Sequence, residues 1–295
     1  MANLRDLQLR MRAIRQTLQV TKAMNLISTA KLRKGRRILE DTEPFFTRIQ
    51  KSMYDIISGA GMMQSDFFSR PVRNNTFHTA VVVVTSDKGL AGGYNANIFR
   101  QVNQLCSRLT NPLLILVGSI GYRYFAHASH LILENFSFKS RMPDMEDARG
   151  IADYIISQYV WGMFDEVHIV YTHMYSTIKL LPTDLQLLPL SAKKIQEEIA
   201  RHGGQKRVEL QFEYLPSEQA VFDTLAPLYI KGLIYSALVE AYVSEQSARM
   251  AAMDEASKNA EEMLASLQLS YNRIRQTGIT QEVSEIISGS AALSE

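Results

Sequence analysis

The sequence predicts an α/β protein: an antiparallel coiled coil of N- and C-terminal helices with an inserted α/β domain. Three observations predict it. Both ends of the chain carry the apolar spacing of paired helices. The middle alternates strand-like and helix-like runs. The two ends also carry opposite charge: residues 1–39 hold ten Lys or Arg against one acid, residues 217–295 eleven acids against five bases. Opposite charge favours pairing between two helices and disfavours self-association.

From the start, apolar residues fall at Leu4, Leu7, Met11, Ile14 and Leu18. Alternating steps of three and four are the seam of a left-handed coiled coil. The stripe then drifts through Met24 and Ile27 toward Leu32. Pro44 removes one backbone donor and is expected to kink or interrupt the helix. A second helical stretch, Phe45 to Ile57, is expected to stop at Gly59 and Gly61. Residues 1–59 form the N-terminal segment of this reading.

Residues 75–206 form the inserted domain. HTAVVVVTSD is a continuous β-branched run, the mark of a strand buried on both faces. Asn95 to Leu109 reads as a helix and PLLILVG as a second buried strand. HLILENFSF, DEVHIVYTHM and the stretch IKLLPTDLQLLPL read as further strands, with a helix over Glu146 to Tyr159. Strands alternating with helices give a mostly parallel, Rossmann-like layer. Residues 191–206, with Gly203 and Gly204, are expected to lead out of it.

Residues 210–295 form the C-terminal segment. One helix is expected from Pro227 to Ile287, because Pro suits a helix start and the stretch holds only Gly232 and Gly278. At 1.5 Å per residue it would span roughly 90 Å, too long for one globule to bury. Its seam is small: Ala237, Ala241, Ser244, Ala248, then Ala252, Ala256 and Ala260 at strict fours. Met263, Leu267, Ser270 and Ile274 continue it. Small residues let two backbones approach closely, and the run of fours relaxes left-handed supercoiling.

Composition narrows the function. With 46% hydrophobic residues, 21% charged residues and a net charge of +2, the 295-residue chain is that of an ordinary folded protein. It has no global basic field of the kind nucleic-acid proteins carry. No run reaches the ~20 apolar residues of a membrane span. The first forty residues are rich in Arg and poor in acids, like a transit peptide, but Leu4 is already in register with the seam, so a structural helix is expected there. Cys106 is the single cysteine, which suits a reducing compartment.

Chemistry-bearing motifs are scarce. SDKGLAGGYN, Ser86 to Asn95, follows a strand and precedes a helix, where phosphate loops occur. Its glycines fit neither dinucleotide nor P-loop spacing, so a tight turn is expected. The six histidines form no metal-ligand pattern. No nucleophile motif occurs, and no cofactor is expected. KLRKGRR, Lys31 to Arg37, holds five bases in seven residues. It fits an acidic protein surface, a nucleic acid or an acidic lipid, though no aromatic residues interleave it.

Three blocks carry a family resemblance: TKAMNLISTAKLRK from Thr21 to Lys34, SDKGLAGGYN, and the long stretch from Ser244 to Ala292 containing SEQSARMAAMDEASKNA and LQLSYNRIRQTGITQEVSEIISGSAA. On these blocks the chain resembles the gamma subunit of the F-type ATP synthase, the central rotor shaft. The resemblance implies a non-catalytic subunit whose paired helices enter the cavity of three α and three β subunits. The inserted domain would lie near the membrane, with the epsilon subunit and the c-ring. Rotation driven by the ring would cycle the nucleotide sites on β. The resemblance also implies a peripheral position at the cytoplasmic face of a bacterial inner membrane, with no nucleic acid bound.

Residue by residue, the resemblance places Arg275, Gln276 and Thr280 against a β subunit, with Lys22 and Met24 near the same region. Arg33, Lys34, Arg36 and Arg37 are candidates for an acidic loop of β, a reading from charge. Where the family usually has Tyr-Glu-Pro facing the c-ring, this chain has Tyr214, Leu215 and Pro216. Leu215 cannot make the family's polar contact, so Glu213 or Glu218 substitutes or the interface differs. The alternative is a coiled-coil adaptor that binds acidic partners or nucleic acid.

Overall fold

The computed structural model describes residues 2–59, 65, 67–68, 77–128, 130–138, 141–177, 179–191, 215 and 217–293. The expected exit segment at 192–206 and Gly61 lie outside them. The elements are α1 (Ala2–Gly59), β1 (Thr79–Val84), α2 (Tyr94–Cys106), β2 (Pro112–Val117), α3 (Ser119–Phe125), β3 (Leu131–Phe136), α4 (Met145–Trp161), β4 (Glu166–Met174), β5 (Leu180–Leu188) and α5 (Glu218–Leu293). They form two compact units, Met1–Thr29 with Arg249–Glu295, and Ala30–Ala248.

Two helix boundaries differ from expectation. α1 runs through Pro44 without interruption. α5 begins at Glu218, and Pro227 lies inside it. Each Pro orphans the carbonyl four residues back. Those carbonyls belong to Glu40 and Asp223, both exposed, so water can satisfy them. The start of α5 is set by Ser217, whose hydroxyl accepts from the Ala220 N–H at 3.2 Å. That is the N-cap role Ser fills well.

In the unit from Ala30 to Ala248, five strands form one sheet in the order β3-β2-β1-β4-β5. β1 pairs in parallel with β2 and β4, and β2 in parallel with β3. β5 returns antiparallel along β4. Every residue of β1 is buried, as its β-branched run predicts. One face carries Val81, Val83, Leu114, Leu116 and Val170 against Tyr94, Ile98 and Val102 of α2 and Phe125 of α3. α3 has no counterpart in the sequence reading. It is only seven residues long and gives little periodic signal. α4 is bounded by a capping box, Asp147 N to Asp144 Oδ1 at 3.0 Å and Asp144 N to Asp147 Oδ2 at 2.9 Å. It ends at Gly162, whose φ of 86° is the left-handed stop that Gly adopts without cost.

The first half of α5 is tied to this unit by hydrogen bonds to backbone carbonyls. Tyr94 OH donates to Ala241 O at 3.1 Å, and Ser244 Oγ donates to Thr172 O at 2.9 Å. α1 approaches α5 closely at Gly35, where an added Cβ would sit 2.5 Å from Val243 Cγ2.

Candidate functional site

The unit Met1–Thr29 with Arg249–Glu295 is a helix pair. Gln8 Nε2 donates to Tyr271 OH at 2.9 Å, Ser257 Oγ to Thr21 Oγ1 at 2.8 Å, and Asn25 Nδ2 to Met250 O at 3.1 Å. Numbers rise on one helix as they fall on the other, so the pair is antiparallel. The α1 seam matches expectation at first: Leu4, Leu7, Met11, Ile14 and Leu18 are the covered positions. Beyond them the seam runs through Thr21, Met24, Asn25 and Ser28, while Ile27 is 56% exposed. On α5 the covered row is Ala260, Leu264, Leu267, Tyr271, Ile274 and Gly278. Met263 and Ser270, expected in that row, are exposed.

Among the described residues, α5 continues past the level of Ala2, where α1 starts. Counting six residues on from the Gln8–Tyr271 contact sets Ala2 opposite Thr277. Past Gly278, Ile279, Val283, Ile286 and Ile287 are 52%, 49%, 70% and 62% exposed. They recur at steps of four, three and one, one face of a helix. These residues form an exposed apolar stripe on the last turns of α5.

The expected contact residues fall into separate places. Arg275, Gln276 and Thr280 are exposed on the last covered turn of α5 and just beyond it. Thr280 Oγ1 donates to Gln276 O at 3.0 Å, which leaves its oxygen lone pairs outward. Lys22 is not beside them. It pairs with Glu261 at 2.6 Å, about 21 Å short of Arg275 along α5. Met24 lies one half-turn further from Arg275, partly covered in the seam. The expectation that Lys22 and Met24 share a region with Arg275 therefore fails on register: antiparallel pairing sends rising numbers on α1 to falling numbers on α5. The Lys22–Glu261 pair is more than half exposed on both sides, so it contributes little stability.

In the other unit, Arg33, Lys34, Arg36 and Arg37 are all exposed on α1. Arg36 Nη2 donates to Thr177 Oγ1 at 3.1 Å, holding one guanidinium over the turn after β4. Arg37 Nε lies 3.9 Å from Asp41. Leu215 is 80% exposed. Glu213 and Tyr214 lie outside the described residues.

SDKGLAGGYN is a closed turn. Asp87 Oδ1 accepts from Ser119 N at 3.0 Å, Ser119 Oγ at 3.1 Å and Ser137 Oγ at 3.0 Å. Asn95 Nδ2 donates to Ser86 Oγ at 2.7 Å. The polar side chains of this loop hold the loops after β1, β2 and β3 to one another. Among the described residues, no group of three His, Cys, Asp or Glu could hold a metal. No helix among them is long and apolar enough to cross a membrane.

The ATP synthase family profile matches residues 3–293. The chain is 38% identical over 294 residues to the ATP synthase gamma chain of Acetivibrio thermocellus, covering 99% of this chain and 100% of that one. It is 40% identical over 292 residues to that of Ruminiclostridium cellulolyticum, covering 99% of each. The chain belongs to the ATP synthase gamma chain family. Its fold is similar to a chain in the Euglena gracilis mitochondrial ATP synthase, OSCP/F1/c-ring in rotational state 3, with a TM-score of 0.67 and 15% identity over 99% of this chain and 95% of that one. Full-length similarity to gamma chains does not favour the adaptor alternative.

Within a gamma chain, two groups that periodicity and charge did not point out have clear positions. Gly35, inside the basic run, packs closely against Val243 of α5. Thr21 and Ser257 are buried polar residues in the seam of the pair. The signal for the first was a lone Gly in a helical pattern, which costs about 1 kcal/mol relative to Ala unless packing needs it.

Proposed function

We propose that this chain is the central rotor shaft of a bacterial F-type ATP synthase and catalyses nothing itself. The observation that carries the reading is the end of α5. Ile279, Val283 and Ile286 there are exposed apolar residues on one helix face, and a sleeve of three α and three β subunits would cover them. An asymmetric shaft gives each β subunit a different face, so turning it shifts each site's conformational equilibrium in sequence.

In this reading Arg275, Gln276 and Thr280 meet β at the sleeve. Lys22 and Met24 contact β at a second level, near Glu261. Arg33, Lys34, Arg36 and Arg37 attract an acidic loop of β. The α/β unit meets the epsilon subunit and the c-ring, with Glu213, Tyr214 and Leu215 at the ring. The inserted domain spans 75–206 and the helical segments 1–59 and 210–295. The assembly holds this chain peripherally at the cytoplasmic face of the inner membrane, and no nucleic acid or cofactor takes part. Purification through a tag on this chain tests the reading. One copy should emerge with three α and three β, and recovery without α and β contradicts it.

A further inference from the structure

One cavity in the unit Ala30–Ala248 has no part in the rotor reading. It has a volume of about 610 Å³, within the range of small-molecule sites. α1, α5 and the strands β4 and β5 wall it. Phe46, Tyr171 and Tyr229 supply aromatic sides. α5 presents the small residues Gly232, Ser236 and Ala237 to it. The Phe46 ring lies so close over Gly232 that an added Cβ would be 2.3 Å from its Cε1.

The polar end of the cavity is Glu240, bound to His173 Nδ1 at 2.6 Å. Asp184 also lines it, but its carboxylate turns to the other face of β5 and accepts from Gln101 Nε2 at 3.2 Å. Two wall hydroxyls have already spent their protons. Thr42 Oγ1 donates to Ile38 O at 2.7 Å, and Thr183 Oγ1 donates to Leu181 O at 3.3 Å. Both therefore face the cavity as acceptors only. Aromatic faces beside a carboxylate and hydroxyl acceptors favour a cation. Tyr175 also lines the cavity, is 59% exposed and carries Lys179 Nζ 5.4 Å from its ring centroid.

We infer that this cavity binds a small arylalkyl amine, its ammonium on Glu240 and its ring among Phe46, Tyr171 and Tyr229. The site is independent of the rotor reading. Dansylcadaverine, a fluorescent arylsulfonamide with a primary ammonium, is the probe, added to the purified full chain. Saturable one-to-one enhancement of its emission is expected. Glu240→Gln should weaken binding about tenfold or more, the loss of one charge-assisted hydrogen bond. Ser236→Phe, which fills the cavity, should abolish it. Neutral dansylamide should bind at least about tenfold more weakly than the amine. Absence of saturable binding overturns the inference, as does equal binding by both variants or by the neutral analogue. Thermal melts establish that each variant folds. If both variants fail to fold, Thr183→Val decides: weaker binding is expected, and unchanged binding overturns the assignment.

Discussion

Ser257 on α5 donates its hydroxyl to Thr21 Oγ1 on α1 across 2.8 Å, with both side chains buried in the helix seam. Thr21 in turn donates to Leu18 O at 3.0 Å within its own helix. This polar contact occupies a seam position that a coiled coil normally fills with an apolar residue. Thr21 spends its proton on the preceding turn and accepts from Ser257, and both side chains are small enough to let the backbones approach.

Thr21→Val keeps the shape and removes the oxygen. The variant should lose about 1 kcal/mol, the net value of one hydrogen bond, read from chemical denaturation. Ser257→Ala in the Thr21→Val background should cost less than in the parent, since the partner is already gone. Strict additivity would show that the two hydroxyls do not interact.

Gly35 packs against Val243 where no Cβ fits. Gly35→Ala gains about 1 kcal/mol of helix propensity but forces an overlap costing typically 1–3 kcal/mol. A net loss is expected. Val243→Ala should be less harmful in the Gly35→Ala background than alone. A more stable Gly35→Ala protein would contradict the close contact.

Burial pushes the Cys106 thiol from 9.0 up to about 11. The folded state then holds its proton over a range where the unfolded chain has released it. Stability from this group is whole below pH 9.0 and declines as pH rises toward about 11. The loss is of order 1–3 kcal/mol. Cys106→Ala should flatten that decline relative to the parent, measured by denaturant titration at stepped pH. Equal slopes for the two proteins would rule out the thiol as the source.

The strands and the first seam were legible because their signal is apolar periodicity. β1 reads as a buried run, and Leu4 through Leu18 as a stripe. The signal failed where the seam turns polar or ambiguous. Thr21 and Ser28 are covered while Ile27 is exposed, and Thr21 shows how: a hydroxyl bonded to its own helix can be buried in a way that periodicity cannot register. After the alanines at steps of four, both Met263 and Leu264 are apolar, and one-dimensional spacing cannot choose between them. The pair's geometry selects Leu264, and then Tyr271 over Ser270. The placement of Lys22 beside Glu261 needed the same register.

Arg33, Lys34, Arg36 and Arg37 are exposed, so reversing them to Glu should leave the fold intact. In the assembled complex the reversal should lower coupled ATP hydrolysis about tenfold or more, as like charges now oppose β. Unchanged coupling would remove these four residues from the β contact.

Rotation is the most direct measurement of the central claim. Trp161 is 74% exposed on the α/β unit, and the native Cys106 is buried, so Trp161→Cys can be labelled selectively. A bead at that position, with α and β fixed to a surface, should turn in one direction on addition of ATP and pause three times per turn. ATP hydrolysis by the assembly with a bead that does not turn would contradict the rotor assignment.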